Sequence, residues 1–498
     1  MNYNTFINKY SAILLLFLFV AGFTSCKKFL ETKQYDTSNE AAFYKSAADF
    51  DQALIGAHST FGSLYHPGSF LFLMTDIRSD NTSVYVPGGA SGPLSKSEYD
   101  DFTLTSNNEH LEGFWNVSYS LIQKANDILA FIEGVEMSAE LKDRYNGEAK
   151  ALRGIAYFNL VRLWGDVPLV LKRFDNIDDS YKQGRNAAEE VYTQIINDLT
   201  SAATLLVKPR NTGADVGRID KGAVLSILGE VYLTRKNYSQ AAATFKELID
   251  LNAYSLLPNY FDLFAGGQQG NSEAILQALY TEGVSGLGSI INQFCAPLES
   301  QGVLVLDGQG LPFGWNQPTN DIANAYTAGD VRRNAISDGF TKNGTYYPYK
   351  YINVYMDVSP NAGNGNSGKD WYVMRYADVL LRYAEAVNEE EGPANAYASV
   401  NLVRARAGLS PLPAGLSKDE FRDAVYLEER LESPFEGKRW FDLLRTGRTL
   451  SVMNAKVKLL SDPDCVGLAS PINEHNLLLP IAQTVMTAAP AITQNAGY

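Results

Sequence analysis

The chain has 498 residues, 45% hydrophobic and 20% charged, with a formal charge of −14. That length and apolar content suit a folded protein of one large domain or two to three average ones, and exclude a disordered chain. The acidic balance argues against a nucleic-acid partner, which needs a basic patch, and does not choose between neutral and cationic ligands.

Residues 1–25 read as a targeting segment. Lys9 precedes an apolar run, 10–22, that is too short to span a bilayer, and Phe23, Thr24 and Ser25 lead into Cys26. Small Thr24 and Ser25 before Cys26, with Phe23 where Leu is usual, resemble the lipobox of bacterial lipoproteins, which predicts acylation of Cys26 and a firm anchor of several acyl chains. Residues 26–39 follow as a tether. Residues 40–58 and 112–133 show helical apolar spacing, and Trp115, Tyr119, Ile122, Ala125 and Leu129 share one face of the second. Between them, 62–108 is dense in Gly, Pro and Ser, and such an excursion is where function tends to sit. Tyr65, Asp80 and Tyr85 are candidate ligand contacts there.

Residues 148–170 organise the chain. Leu152, Ile155, Ala156, Asn159, Leu160, Leu163 and Trp164 recur along one helix face, and Gly165 and Pro168 stop the helix. Lys150, Arg153 and Arg162 lie opposite, which predicts a core helix with a solvated back. Residues 222–255 fit a tetratricopeptide repeat of about 34 residues, with Leu228, Gly229, Tyr232, Ala241 and Phe245 at its key positions. Small Gly229 and Ala241 let two helices approach, Tyr232 and Phe245 fill the seam, and Asn237-Tyr238 makes the turn. Residues 380–406 are a weaker copy, through Ala384, Ala396 and Val400.

From 259 to 370 periodicity fails and aromatic residues cluster, at Tyr326, Tyr346, Tyr347, Tyr349, Tyr351 and Tyr355. Trp315 stands in a Gly-Leu-Pro-Phe-Gly-Trp-Asn loop and Trp371 closes the region. An indole packs on sugar C–H groups while Asn or Asp bridges hydroxyls, so Trp315, Asn316 and Trp371 join the candidates. Gly363, Gly365 and Gly368 match a dinucleotide fingerprint, and Lys369 nearly completes a phosphate loop. Asp370 stands where a hydroxyl must hold Mg²⁺, so the stretch reads as a loop only.

The densest charges are Glu428, Glu429, Arg430 and Glu432, then Glu436, Lys438, Arg439, Asp442 and Arg445. Paired carboxylates suit a glycosidase, but each has an arginine within helical reach, so they read as a salt-bridged clasp held ionised. His58, His66, His110 and His475 show no metal-ligand spacing among themselves or with cysteine, and no catalytic triad is visible. No cofactor is expected, and a structural Ca²⁺ stays open. Cys295 and Cys465 cannot be assigned as a pair from sequence. Sequons at Asn81, Asn116, Asn237 and Asn343 read as chance.

Taken in order, Cys26 with the four residues after it, 148–170, 222–251, 318–319, 330–332, 375–388, 400–408, 429–447, 478–482 and 493–498 resemble the SusD/RagB family of bacterial surface lipoproteins. The resemblance covers nearly the whole mature chain. It implies a mainly α fold in one domain from residue 40 to 498. A tetratricopeptide-like lobe of about four helix pairs (about 40–60, 112–255 and 375–410) would support an irregular lobe with few short strands (about 61–111, 256–374 and 411–498). It further implies a non-catalytic protein, lipid-anchored on the exterior face of the outer membrane, that captures an oligo- or polysaccharide for a SusC-like TonB-dependent transporter. A RagB-like peptide ligand is the alternative, and a secreted glycosidase using Glu428, Glu429 or Glu432 the third reading. The family's signature residues are architectural, so the ligand contacts named above come from this chain's own pattern.

Overall fold

The computed structural model describes residues 43–84, 94–174, 176–455, 468 and 470–498. The targeting segment, Cys26 and its tether, Tyr85 and Cys465 lie outside them.

Ten helices carry the frame: α1 (Ala47–Tyr65), α2 (Leu111–Phe131), α3 (Ala139–Trp164), α4 (Ala188–Leu205), α5 (Lys221–Thr234), α6 (Tyr238–Asp250), α7 (Tyr376–Glu391), α8 (Tyr397–Arg406), α9 (Lys418–Glu432) and α10 (Arg439–Arg445). From α1 to α7 each packs on the next, and α7 also packs on α8 and α9. The helical lobe is therefore four consecutive pairs. The strands described are short and form four two-stranded antiparallel pairs. One joins β1 (Ala274–Ala278) to β4 (Trp371–Arg375), and another is the hairpin of β2 (Phe340–Lys342) and β3 (Thr345–Tyr347).

The first helix runs further than its expected end at residue 58. Phe50, Leu54, Ala57, Phe61, Leu64 and Tyr65 continue one buried face, so packing against α2 and α3 carries the helix through Tyr65. α9 and α10 also lie inside the stretch expected to be irregular, and α9 is fixed at its start by a reciprocal Ser417–Glu420 cap.

α3 is buried on nearly every side from Tyr145 to Trp164, so its expected solvated back is corrected. Arg153 forms a bidentate pair with Asp198 of α4 (2.7 and 2.8 Å) and also reaches Asn126 of α2. Arg162 lies 3.7 Å from the Phe441 ring centre and bonds Glu230 at 3.1 Å. A central helix has no free side, and Arg153 and Arg162 are accommodated inside because α4 and α5 bring carboxylates to them. Gly165 ends α3 at φ +72°, a left-handed position that glycine adopts without strain. The chain's last residues close over that end, with Trp164 Nε1 donating to Pro480 O at 3.0 Å.

The repeat reading of α5 and α6 holds in detail. A Cβ on Gly229 would stand 2.5 Å from the Phe245 ring, so the missing side chain is what lets the two helices close. Ala241, Ala384, Ala396 and Val400 are all fully buried.

Candidate functional site

The irregular lobe carries an aromatic face assembled from two pieces. The first is the β2–β3 hairpin. Asn343 and Gly344 both take positive φ (+52° and +78°), the turn that matches strand twist. The register sets Phe340 opposite Tyr347 and Thr341 opposite Tyr346. Phe340 and Tyr347 stack with centres 5.2 Å apart and anchor the hairpin on Ala296, Leu304, Val305 and Tyr351. Tyr346 points the other way and is 58% exposed, while Tyr347 and Tyr349 are half-buried.

The second piece is the loop holding Phe313 and Trp315. It is tied to the short helix Ile291–Cys295 through Phe313 N–H to Gln293 O (2.8 Å) and Gly314 N–H to Ala296 O (2.9 Å). Phe313 stacks on Trp315 at 4.4 Å, and Phe294 supports the indole at 4.8 Å. Lys96 Nζ lies 4.0 Å from the indole centre. Leu298, exposed beside Gly314, and Lys342 Nζ, bonded to Glu299 O at 3.1 Å, bring the two pieces together. Ser95, Glu109 and His110 flank the loop: Ser95 Oγ donates to Glu109 at 2.9 Å and lies 3.3 Å from His110 Nε2. Burial, with help from Lys96, pushes the His110 imidazole down to about 4, so it is neutral at physiological pH. Hydroxyl, carboxylate and amine groups thus border rings that offer flat apolar surface.

With the fold and this face in view, the comparisons with known proteins are specific. Residues 28–233 match a family described as starch-binding and associating with the outer membrane, and residues 315–498 match the SusD family. The chain belongs to the SusD-like family. SusD-like protein P25 of Formosa agariphila is 27% identical over 540 residues, covering 98% of this chain and 99% of the relative. A laminarin-binding SusD-like protein of known structure is 27% identical with a TM-score of 0.76, covering 91% of this chain and all of that one. A SusD homolog from Bacteroides thetaiotaomicron superposes with a TM-score of 0.81 at 24% identity, covering 93% and 99% of the two chains, and shows the fold.

Of the contacts expected from sequence, this SusD-like chain buries most. Asn316 has no exposed surface, and its N–H donates to Phe294 O. Trp371 sits in β4 beneath Tyr355, at 6.3 Å between parallel rings. Tyr65 faces α3, where its hydroxyl accepts from Asn159 at 2.9 Å. Asp80 is enclosed by Arg439, which grips it with two nitrogens at 2.7 and 2.8 Å. These four therefore offer no ligand a face; each is inside because a partner distant in sequence covers it. Trp315 is half-buried, with Phe313 and Lys96 laid on the indole, and Phe313 is half-buried beside it. In sequence, Phe313 is marked only as a member of the Gly-Leu-Pro-Phe-Gly-Trp-Asn loop. The signal for the hairpin was available in Asn343-Gly344 between aromatic positions.

Glu428, Glu429 and Glu432 form the expected clasp, but apart from Arg445 their partners come from elsewhere in the chain. Glu432 meets Arg332 (3.0 Å), Arg375 (2.8 Å) and Arg406, Glu428 meets Arg332 and Arg404, and Glu429 meets Arg445 at 3.0 Å. Burial opposes ionisation of Glu432, yet the three guanidiniums outweigh it and hold the carboxyl near 2. Glu429 departs from the expectation that every member stays low: burial pushes it up, Arg445 counters, and Glu385 adds to the rise. All three carboxylates are inside the protein.

The phosphate-loop lookalike is also structural. Lys369 Nζ donates to Phe264 O at 2.6 Å, Asp370 accepts from Tyr280 N–H at 2.7 Å, and Ser367 bridges to Ser289. Among the described residues no group of three or more His, Cys, Asp or Glu is placed to hold a metal ion, Cys295 is a buried free thiol, and no helix is long and apolar enough to cross a membrane.

Proposed function

We propose that this chain is a non-catalytic glycan-capture lipoprotein, anchored through Cys26 on the outer face of the outer membrane. It gathers oligo- or polysaccharide for a SusC-like TonB-dependent transporter. The observation that carries the reading is the aromatic surface of the irregular lobe: Tyr346 is exposed, and Phe313, Trp315, Tyr347 and Tyr349 are half-buried. Flat rings pack against sugar C–H groups, and the exposed Glu109 carboxylate can accept from hydroxyls. The laminarin-binding relative and the family's starch-binding description support a glycan over a peptide. Non-catalysis is supported by the clasp, since a glycosidase needs two carboxylates flanking an accessible bond and Glu428, Glu429 and Glu432 are shut in.

Calorimetry with glycan and peptide panels tests the reading. Phe313→Ala combined with Tyr346→Ala is expected to weaken glycan binding at least tenfold without lowering Tm. Unchanged binding in that variant overturns the face, tight binding of peptides alone overturns the ligand class, and glycan cleavage lost in Glu429→Gln overturns non-catalysis. Cys26→Ser is expected to free the protein from membranes, and affinity purification of the anchored form to bring the transporter with it.

A further inference from the structure

A second cavity lies apart from the aromatic face and shares none of its residues. It is an open cleft of about 1240 Å³ between α1, the first turns of α2 and α3, the loop 214–218 and the segment 277–290. That exceeds the roughly 300–1,000 Å³ of ordinary small-molecule sites, so it suits a chain of several units.

One wall is the side of α1 that packing leaves free. Asp51, Ile55, His58, Ser59, Gly62 and Ser63 follow helical spacing on that side, opposite the buried row from Phe50 to Tyr65. Ile55 is 55% exposed. Facing it, the turn 285–288 carries Leu287, 54% exposed. That turn is pinned by Thr281 N–H to Leu287 O at 2.7 Å and by the bridge from Ser289 to Ser367.

The floor is charged but balanced. Glu148, fully buried, accepts from His58 (2.8 Å), Arg144 (2.9 Å) and Arg218 (3.1 Å). Arg218 also holds Asp51 at 2.6 Å, and Arg144 holds Asp215 at 2.7 Å. Two guanidiniums thus meet three carboxylates, which leaves no surplus positive charge for an anion, and each carboxylate is already paired, which disfavours a cation. Polar capacity nevertheless remains. His58 Nδ1, Arg218 Nη2 and Gln277 Nε2 have no hydrogen-bond partner, and these three residues reach the cleft from three different elements. Those atoms are closed to solvent and lie beneath the surface, so the groups a ligand would meet first are the exposed Ser59 and Ser63 of α1. Serine and glycine walls, polar atoms in the floor and two aliphatic rims together suit a polyol with alternating C–H and O–H surfaces.

We propose that this cleft is a second carbohydrate site, taking an uncharged oligosaccharide along α1. The proposal rests on the glycan reading above and adds an independent subsite to it.

The test uses the mature chain, a panel of uncharged hexasaccharides including laminarihexaose, and a uronic-acid hexamer as control. Titration calorimetry gives stoichiometry, and hydrogen exchange reports protection. In the Phe313→Ala, Tyr346→Ala variant an uncharged hexamer is expected still to bind, at one site fewer than in the wild type, and to protect amides 51–66 and 277–290. Adding Ser59→Trp and Ser63→Trp, both at exposed positions of α1, is expected to remove that remaining binding and its protection while Tm stays unchanged. The uronic-acid hexamer is expected to protect neither segment. If the wild type binds a hexamer but protects only the segments around 313–315 and 340–349, the cleft proposal falls and the glycan reading stands. If no hexamer binds the wild type at all, the glycan reading falls and takes the cleft with it. Protection of 51–66 by the uronic-acid hexamer instead overturns the uncharged ligand class.

Discussion

Replacing Glu432 by Gln tests whether the buried carboxylates are structural. The substitution keeps size and shape but removes the charge that Arg332, Arg375 and Arg406 share. None of the three is left wholly alone: Arg332 keeps Asp330 and Glu428, Arg375 keeps Glu273 and Glu436, and Arg406 keeps Glu273. The loss therefore belongs at the lower end of the ~3–5 kcal/mol typical of breaking a buried ion pair. Linkage gives the same size. The carboxyl sits near 2 in the fold against an ordinary 4.5, and at about 1.4 kcal/mol per pH unit that difference is worth about 3 kcal/mol. The sign follows from the depressed value: the contribution is complete above 4.5 and is lost as pH falls toward 2. Denaturant unfolding of wild type and Glu432→Gln from pH 3 to pH 7 is expected to show a gap of about 3 kcal/mol at neutral pH that narrows below about 4.5. A variant as stable as the wild type, or a gap that does not change on acidification, would refute the reasoning that the arginines hold this carboxylate ionised.

Three other outcomes follow from the packing and the buried charges. Gly229→Ala puts a methyl group 2.5 Å from the Phe245 ring and is expected to cost about 1–3 kcal/mol, with partial recovery on adding Phe245→Leu, read from denaturant midpoints. Asp76 has the opposite linkage to Glu432. Burial raises its carboxyl to about 8, opposed chiefly by a hydrogen bond from Gly437 N–H and less by the Lys438 charge and Asn316. Its stability contribution is therefore present below about 4 and lost as pH climbs through 8, and Asp76→Asn is expected to flatten the stability curve between pH 5 and 8. Asp80→Asn breaks the two-nitrogen grip of Arg439 and leaves a buried guanidinium underpaired. It is expected to lower stability by about 3 kcal/mol with glycan affinity unchanged, whereas a selective loss of affinity would return Asp80 to the ligand site.

The family and the helical frame were legible because their signals are local. Gly229 and Phe245 carry their spacing within one hairpin, and the face of α3 from Leu152 to Trp164 is written in consecutive turns. The candidate contacts were less legible. Trp371 and Trp315 both sit near glycine in irregular sequence, yet β1 and Tyr355 bury the first while the second is half-covered by Phe313 and Lys96. Exposure depends on which distant segment lands on a residue, and side-chain type alone does not carry that information. Arg153 makes the same point in reverse, as a charge on a presumed wet face that proves to be a buried partner of Asp198.

Sequence by itself determined the mainly helical class, the paired-helix repeat and the ionic character of the stretch 428–445. These depend on periodicity, short motifs and residue type. Tertiary structure alone decided that Arg332, Arg375 and Arg406 converge on Glu432, that Asp80, Asn316 and Trp371 are enclosed, and that Tyr346 is left exposed. Those outcomes join residues tens to hundreds of positions apart. The free energy that selects them comes from burial and desolvation across the assembled lobe, quantities that no stretch of the chain possesses before the rest has packed against it.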